Sequence, residues 1–322
     1  MRRNLLAALA AGLLFLGVLA LVLLLPSTAP AGRPPGPPRV VVTLPPLAWP
    51  ARALFDDPEI DLTLLVPPGS TAHGFELTPD QARALVRADL VVMVGLGLDD
   101  HLRRALDDHP RPWRVVVTLA DAAGDPAGRD PHAWLDPVIM GRFVDRVAEA
   151  VGEVSTRVVA RTQNEPPPTH PHLWPNEGTI AARADALRAE AERIDALYRE
   201  RLPDLEHRVI VTHHNAYGYL ARRYGIEVAA VLRPADEVEP TPGDIARAAA
   251  ALRERGVPVV FSEPQWSDGV AERVAEAAGV PVLELDPLGD GDWPALMERN
   301  LDALVRGLGG AGPAASEESA SP

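Results

Sequence analysis

The chain has no cysteine and no lysine among its 322 residues, so its only strongly basic side chains are arginines. Without thiols it has no disulfide, thiolate metal site or cysteine nucleophile, and any metal must be bound by imidazole and carboxylate groups. The lack of lysine excludes Schiff-base chemistry and P-loop nucleotide binding. Acidic residues also outnumber basic ones, 45 to 31, which gives a formal net charge of -14. This balance argues against nucleic acid as a partner.

The N-terminus carries one long apolar run, Leu5–Leu25, which follows Arg2 and Arg3. The positive-inside rule predicts that everything after it is exported to the periplasm or another extracytoplasmic space. About 20 apolar residues are enough to span a bilayer, so this segment is expected to be a signal peptide or a membrane anchor. No cysteine follows it, which excludes a lipid anchor. Residues 1–38 are therefore predicted to form a signal or anchor that ends in a proline-rich spacer.

From residue 39 onward, short apolar runs typical of buried strands alternate with helical segments. Two such series predict an α/β fold of two lobes, each a mainly parallel four-stranded sheet flanked by helices, at residues 39–160 and 206–308. Between them, residues 161–205 contain a proline-rich loop and one long connecting helix over Gly178–Arg201, and residues 309–322 form a disordered tail. The predicted strands are Val40–Leu44, Asp61–Val66, Asp89–Val94, Arg114–Leu119, Arg208–Thr212, Glu227–Leu232, Pro258–Phe261 and Pro281–Leu285. The predicted helices within the lobes are Pro46–Phe55, Pro79–Arg87, Asp99–Asp107, Ala216–Arg223, Pro242–Arg255 and Gly269–Ala278.

The most informative motif is Asp-Pro-His-Ala-Trp-Leu-Asp-Pro at residues 130–137. Each proline fixes its own φ and restricts the residue before it, so His132 lies on stiff backbone and its imidazole can be aimed at a ligand. The same residues also predict a helix start, with Asp136 as the N-cap and Pro137 as the first helical residue. The two roles are compatible.

Four side chains that suit a metal ion follow predicted strands. Ligands of open α/β sheets bind beyond the carboxyl ends of the strands, so these four are expected to meet in the cleft between the lobes. Three imidazoles and one carboxylate form a complete shell for a divalent ion such as zinc. Other interpretations remain open, because a loop histidine is often a surface residue and an aspartate before proline often forms a turn. The candidates are His73, His132, His214 and Asp286.

Several neighbouring residues are candidates for supporting roles. His213 precedes His214, and only one of the two can easily point into the cleft; we expect His214, at the start of a helix, to be the ligand and His213 to pack or to support a ligand. Glu263 is expected to hydrogen-bond a ligating imidazole, to be the fourth ligand itself, or to cap a helix. His170 and His172, in the proline-rich loop, either capture metal or form a solvated pair without a role.

Five segments in this order resemble the metal-binding solute-binding proteins of zinc and manganese ABC transporters. They are residues 68–79, 130–137, 212–225, 261–265 and 285–289. The resemblance implies two α/β lobes joined by one long helix, with the ion held between them by His73, His132, His214 and Asp286. Members that look manganese-specific tend to carry a carboxylate where His214 stands, so zinc is expected, with manganese or iron as alternatives.

The resemblance also implies a function without catalysis. The protein would capture a metal ion outside the cytoplasmic membrane and deliver it, as a monomer, to a permease and its ATPase. One alternative is a zinc hydrolase in which Asp286 is not a ligand and Glu263 activates a bound water, although the chain has no His-Glu-x-x-His motif. The other is a surface adhesion protein built on the same lobes.

Overall fold

The computed structural model describes residues 37–56, 60–124, 130–161, 175–233, 240–266 and 269–309. The predictions for the apolar N-terminal segment and for His170 and His172 lie outside these residues. Among the helices of the described ranges, none combines the length and the apolar character needed to cross a membrane.

The first lobe is built on a parallel sheet covered by helices. Its strands are β1 (Arg39–Val42), β2 (Asp61–Leu64), β3 (Leu90–Met93) and β4 (Val115–Thr118). Its helices are α1 (Pro45–Phe55), α2 (Pro79–Arg87), α3 (Asp100–Asp107) and the short α4 (Ala120–Ala123). The strand order is β2-β1-β3-β4, and every neighbouring pair is parallel. Consequently all four carboxyl ends lie at one edge of the sheet.

Two helices of 25 residues each follow the first sheet: α5 (Pro137–Arg161) and α6 (Glu177–Arg201). Asp136 caps α5 as predicted, because its Oδ1 accepts hydrogen bonds from the backbone N–H groups of Val138 and Ile139 at 2.9 and 3.2 Å. Helix α6 matches the predicted connecting helix and begins at an Asn176 cap. It packs against α5 and α1 and also against the helix Trp293–Leu308, so it touches both halves of the molecule.

The second lobe repeats the plan of the first. Its strands are β5 (Val209–His214), β6 (Glu227–Arg233), β7 (Val260–Ser262) and β8 (Val282–Glu284), all parallel, in the order β6-β5-β7-β8. Its helices are α7 (Gly218–Tyr224), α8 (Pro242–Arg255), α9 (Val270–Ala278) and α10 (Trp293–Leu308). The predicted two-lobe α/β fold is confirmed. The expectation that His214 starts a helix is wrong, because His214 pairs with Arg233 as the last residue of β5.

The two lobes share one hydrophobic core, which includes Val92 of the first sheet and Phe261 of the second. Buried indole groups add hydrogen bonds across the junction. The Trp134 Nε1–H donates to the carbonyl oxygen of Pro287 at 2.6 Å, and the Trp293 Nε1–H donates to the carbonyl oxygen of Trp134 at 2.8 Å. The lobes are therefore packed together at the segment that carries His132 and Trp134.

Candidate metal site

Three of the four predicted ligands meet where the carboxyl ends of the two sheets face each other. His73 lies in the loop after β2, His132 follows β4 and α4, and His214 ends β5. One nitrogen from each imidazole belongs to a group in which all three atoms lie within 4.8 Å of one another. Both lobes thus contribute to a single cluster, as parallel strands ending at a common edge predict.

The spacing of the imidazole nitrogens suits one shared ion. The His132 Nε2 lies 3.3 Å from the His73 Nε2 and 3.1 Å from the His214 Nε2. A tetrahedral zinc with Zn–N bonds of about 2.0–2.1 Å places its nitrogen ligands about 3.4 Å apart. Little rearrangement is therefore needed to place these three nitrogens around an ion.

Asp130 orients the imidazole of His132. Its Oδ1 accepts hydrogen bonds from the backbone N–H and from the Nδ1–H of His132, at 3.0 and 2.9 Å. Because an ionised carboxylate only accepts, Nδ1 carries the proton and Nε2 presents its lone pair to the cluster. Burial lowers the pKa of His132 below its usual value, although its hydrogen bond to Asp130 raises the pKa. Burial thus favours the neutral imidazole, which is the form that can bind a metal ion.

Glu263 performs the corresponding role for His214. Its two carboxylate oxygens lie 2.6 and 2.5 Å from the His214 Nδ1, and its Oε1 also accepts from the backbone N–H of His214 at 3.1 Å. Both side chains are buried, with Glu263 only 2% exposed. The Nδ1 of His214 is thus the donor, and its Nε2 lone pair points toward the cluster. Among the roles considered for Glu263, this geometry favours support of a ligating imidazole.

His213 points away from the cluster, because neighbouring residues of a strand project to opposite faces. Its ring stacks on Trp266 with a centroid distance of 5.6 Å and an interplanar angle of 9°. The guanidinium carbon of Arg233 lies over the same indole, 4.4 Å from the ring centroid. The structure therefore places His213 in a packing role.

Asp286 follows β8 at the same edge, but it is not part of the group formed by the three imidazoles. Its Oδ1 accepts hydrogen bonds from the Gln265 Nε2 at 2.8 Å and from the Leu288 backbone N–H at 2.9 Å. Its role as a ligand stays a prediction.

A small pocket covers the three imidazoles. Its cavity volume is about 20 Å³, which is enough for one guest of the size of a water molecule or an ion. The walls are largely apolar apart from the candidate ligands and their supports. The lining residues are Thr71, Ala72, His73, His132, Trp134, His214, Glu263, Gln265, Trp266, Pro287 and Leu288. Such a space suits a single ion.

The sequence reasoning did not identify Asp130 as a support for His132 or Gln265 as a partner of Asp286. A signal for Asp130 was present, since an aspartate two residues before a histidine is well placed to accept from both its backbone and its ring. Gly218 was also missed. It begins α7 in the second lobe, and a side-chain carbon at this position would overlap with the Oδ2 of Asp130. The second lobe thus approaches the first closely enough to require glycine here.

We expect the Gly218→Ala variant to bind zinc about tenfold or more weakly, because its methyl group would displace Asp130 and with it the imidazole of His132. Zinc affinity measured by competition with a chelating dye checks this.

Gly243→Ala is a matched control, because Gly243 lies near the start of α8. A side-chain carbon there would meet only ordinary contacts, 3.6 Å from the Thr241 Oγ1 and the Arg247 Nη1. Its zinc affinity should equal that of the wild type. Equal affinities for both variants would contradict the role given to the close approach of Gly218 and Asp130.

Comparison with known proteins matches the chain to one family. The profile of the family described as zinc-uptake complex component A, periplasmic, matches residues 40–162 and 174–307. The manganese-binding lipoprotein MntA of Halalkalibacterium halodurans is 25% identical over 260 residues, covering 77% of this chain and 81% of the relative. The iron-binding protein YfeA of Yersinia pestis is 26% identical over 258 residues, covering 75% and 77%.

A solved structure shows the same fold. The periplasmic zinc binding protein TroA from Treponema pallidum superimposes with a TM-score of 0.68 at 24% sequence identity, covering 85% of this chain and 99% of that one. The hydrolase alternative is wrong, because the family and its relatives are metal-binding solute-binding proteins and not enzymes. The family profile spans well over half of the sequence, and the chain therefore belongs to the zinc-uptake complex component A family of ABC-transporter solute-binding proteins.

Proposed function

We propose that this protein captures zinc outside the cytoplasmic membrane and delivers it to the permease of an ABC transporter. In this proposal His73, His132, His214 and Asp286 are the ligands, and the ion is cargo that is released unchanged. Binding and release of an ion require no covalent chemistry.

The observation that carries the proposal is the convergence of lone pairs from the two lobes. Asp130 and Glu263 hold the Nδ1 protons of His132 and His214, so both Nε2 atoms direct lone pairs at each other across 3.1 Å. Two such lone pairs repel unless a cation or a proton lies between them. Because burial lowers the pKa of His132, a proton is disfavoured there, and a metal ion is the better partner.

Zinc is favoured over manganese by the donor atoms. Imidazole nitrogens suit zinc, whereas manganese prefers carboxylate, carbonyl and water oxygens. Three of the four proposed ligands are imidazoles, including His214, and their spacing fits tetrahedral coordination. Manganese and iron are the alternatives, since two relatives are named for binding them.

Asp286 is proposed as the fourth ligand, which closes the shell. It follows β8 at the edge where the other ligands lie, and its neighbours Pro287 and Leu288 line the pocket. In this proposal its carboxylate completes the coordination sphere. Four protein ligands leave no open position for a reactive water, as expected of a carrier.

Delivery requires that the protein stay near its permease. The apolar segment Leu5–Leu25 follows two arginines and is long enough to span a bilayer, so we propose that it tethers the exported body to the cytoplasmic membrane. This tether would replace the lipid anchor, for which the chain has no cysteine.

Titration of the metal-stripped protein tests the cargo. We expect one zinc per chain and a zinc affinity at least about tenfold above that for manganese, following the general order of stability for these ions. Competition calorimetry, with manganese added before zinc and then the reverse, measures both quantities. Tighter binding of manganese than of zinc, or a stoichiometry other than one zinc per chain, would contradict the assignment of zinc.

A further inference from the structure

The loop that follows β7 contacts both metal ligands proposed for the second lobe. We call residues 263–265 the β7 loop. At its start, Glu263 accepts from the Nδ1 of His214, and at its end the Gln265 Nε2 donates to the Oδ1 of Asp286 at 2.8 Å. A movement of this loop would therefore displace two ligands together.

Asp286 is held at its backbone as well as at its side chain. The Asn300 Oδ1 accepts from the Asp286 backbone N–H at 2.9 Å, and the Asn300 Nδ2 donates to the Asp286 carbonyl oxygen at 2.6 Å. These two bonds fix the backbone position, while Gln265 and the Leu288 N–H determine how the carboxylate is turned. Gln265 and Leu288 both line the metal pocket, and of these two donors to the carboxylate only Gln265 donates from its side chain.

The other end of the Gln265 amide is unusual. Its Oε1 is buried and has no hydrogen-bond partner within the described part of the chain. A buried acceptor without a partner is costly, and such exceptions call for a functional or structural reason. Here the reason is the hydrogen bond at the other end of the amide. Its Nε2 donates to Asp286 beside the pocket, and this bond fixes the orientation of the amide.

We propose that Gln265 is a positioning residue that turns the carboxylate of Asp286 toward the metal. The proposal rests on the function proposed above, in which Asp286 is the fourth ligand. With Oδ1 held by Gln265 and Leu288, Oδ2 is the oxygen assigned to the ion. An amide suits this role better than a charged group, because it fixes the carboxylate without neutralising it.

The test is the Gln265→Met variant in the full chain, which keeps the side-chain length and removes the donor. Zinc affinity is expected to fall about tenfold or more, as for other hydrogen-bond partners of metal ligands. Cobalt(II) serves as a second probe, since its visible absorption depends on the ligand geometry. The cobalt spectrum of Gln265→Met is expected to shift toward that of Asp286→Ala.

A double-mutant cycle separates positioning from a general structural effect. If Gln265 acts through Asp286, the Gln265→Met change should have no further effect on zinc affinity in the Asp286→Ala background. Equal losses in both backgrounds, unchanged binding, or tighter binding by Gln265→Met would each overturn the proposal. In those cases the His132→Ala variant distinguishes the two proposals. If it loses zinc, the proposed zinc site stands and only the role of Gln265 is wrong. If it retains zinc, the proposed function itself is refuted.

Ser262→Ala is the matched control. Ser262 precedes the β7 loop, and its hydroxyl donates to the Leu283 carbonyl oxygen at 3.4 Å, away from Asp286. Its zinc affinity and cobalt spectrum should equal those of the wild type. Melting temperatures measured without metal identify unfolding, and if Gln265→Met fails to fold, Gln265→Leu makes the same test.

Discussion

Zinc affinity is expected to fall by about 100-fold or more when His132 is replaced by alanine. Structural zinc sites bind with apparent free energies of about 10–16 kcal/mol, or about 3 kcal/mol for each of four ligands, and 1.4 kcal/mol corresponds to about a tenfold change. His132 is the central member of the proposed ligand set, because its Nε2 lies close to the Nε2 atoms of both other imidazoles. Competition with a chelator of known affinity measures the loss.

His109→Ala provides the control for this measurement. His109 is exposed at the end of α3, and its ring interacts with the Ala105 carbonyl oxygen rather than with the cluster. This change lowers the number of histidines equally but should leave zinc affinity at the wild-type value. If His132→Ala also retained wild-type affinity, the three-histidine cluster would not be the zinc site.

The sequence predicted the fold because its strands are short apolar runs separated by strong helix signals. Helices α2 and α8 begin and end at the predicted residues. Their starts are well defined because each has a threonine N-cap followed by proline. Strand ends were less predictable. The β5 strand continues through His214 because the longer neighbouring strand β6 offers Arg233 as a partner, and this pairing depends on residues distant in sequence.

The parts of the site that were predicted are those that follow from the fold itself. His73, His132 and His214 could be placed together because parallel strands end at one edge, which is a property of the fold rather than of any side-chain contact. The bond from Gln265 to Asp286 joins residues 21 positions apart, and the approach of Gly218 to Asp130 joins the two lobes. Such contacts follow from how the loops pack, and no local pattern in the sequence reports them.

The Trp134→Ala variant is expected to lose about 3–5 kcal/mol of unfolding free energy, the usual loss for a buried tryptophan. Trp134 is fully buried at the junction of the lobes, and the loss of its indole would also leave the Pro287 carbonyl oxygen without this donor. Trp134→Phe keeps most of the packing and removes the N–H, so it should lose about 1–3 kcal/mol. Urea denaturation of the metal-free proteins measures both changes.

Zinc binding should separate these variants from the ligand variants. The Trp134 ring lies against the ring of His132, with centroids 5.1 Å apart, but it supplies no ligand atom. Trp134→Phe is therefore expected to bind zinc nearly as tightly as the wild type while unfolding more easily, whereas His132→Ala should show the larger loss in zinc affinity. Because zinc binds only the folded state, the same excess of free zinc should stabilise His132→Ala by about 2.7 kcal/mol less than Trp134→Phe if its affinity is about 100-fold weaker. Equal stabilisation of the two variants by zinc would mean that His132 matters no more for zinc binding than the buried Trp134. That result would contradict its proposed role as a ligand.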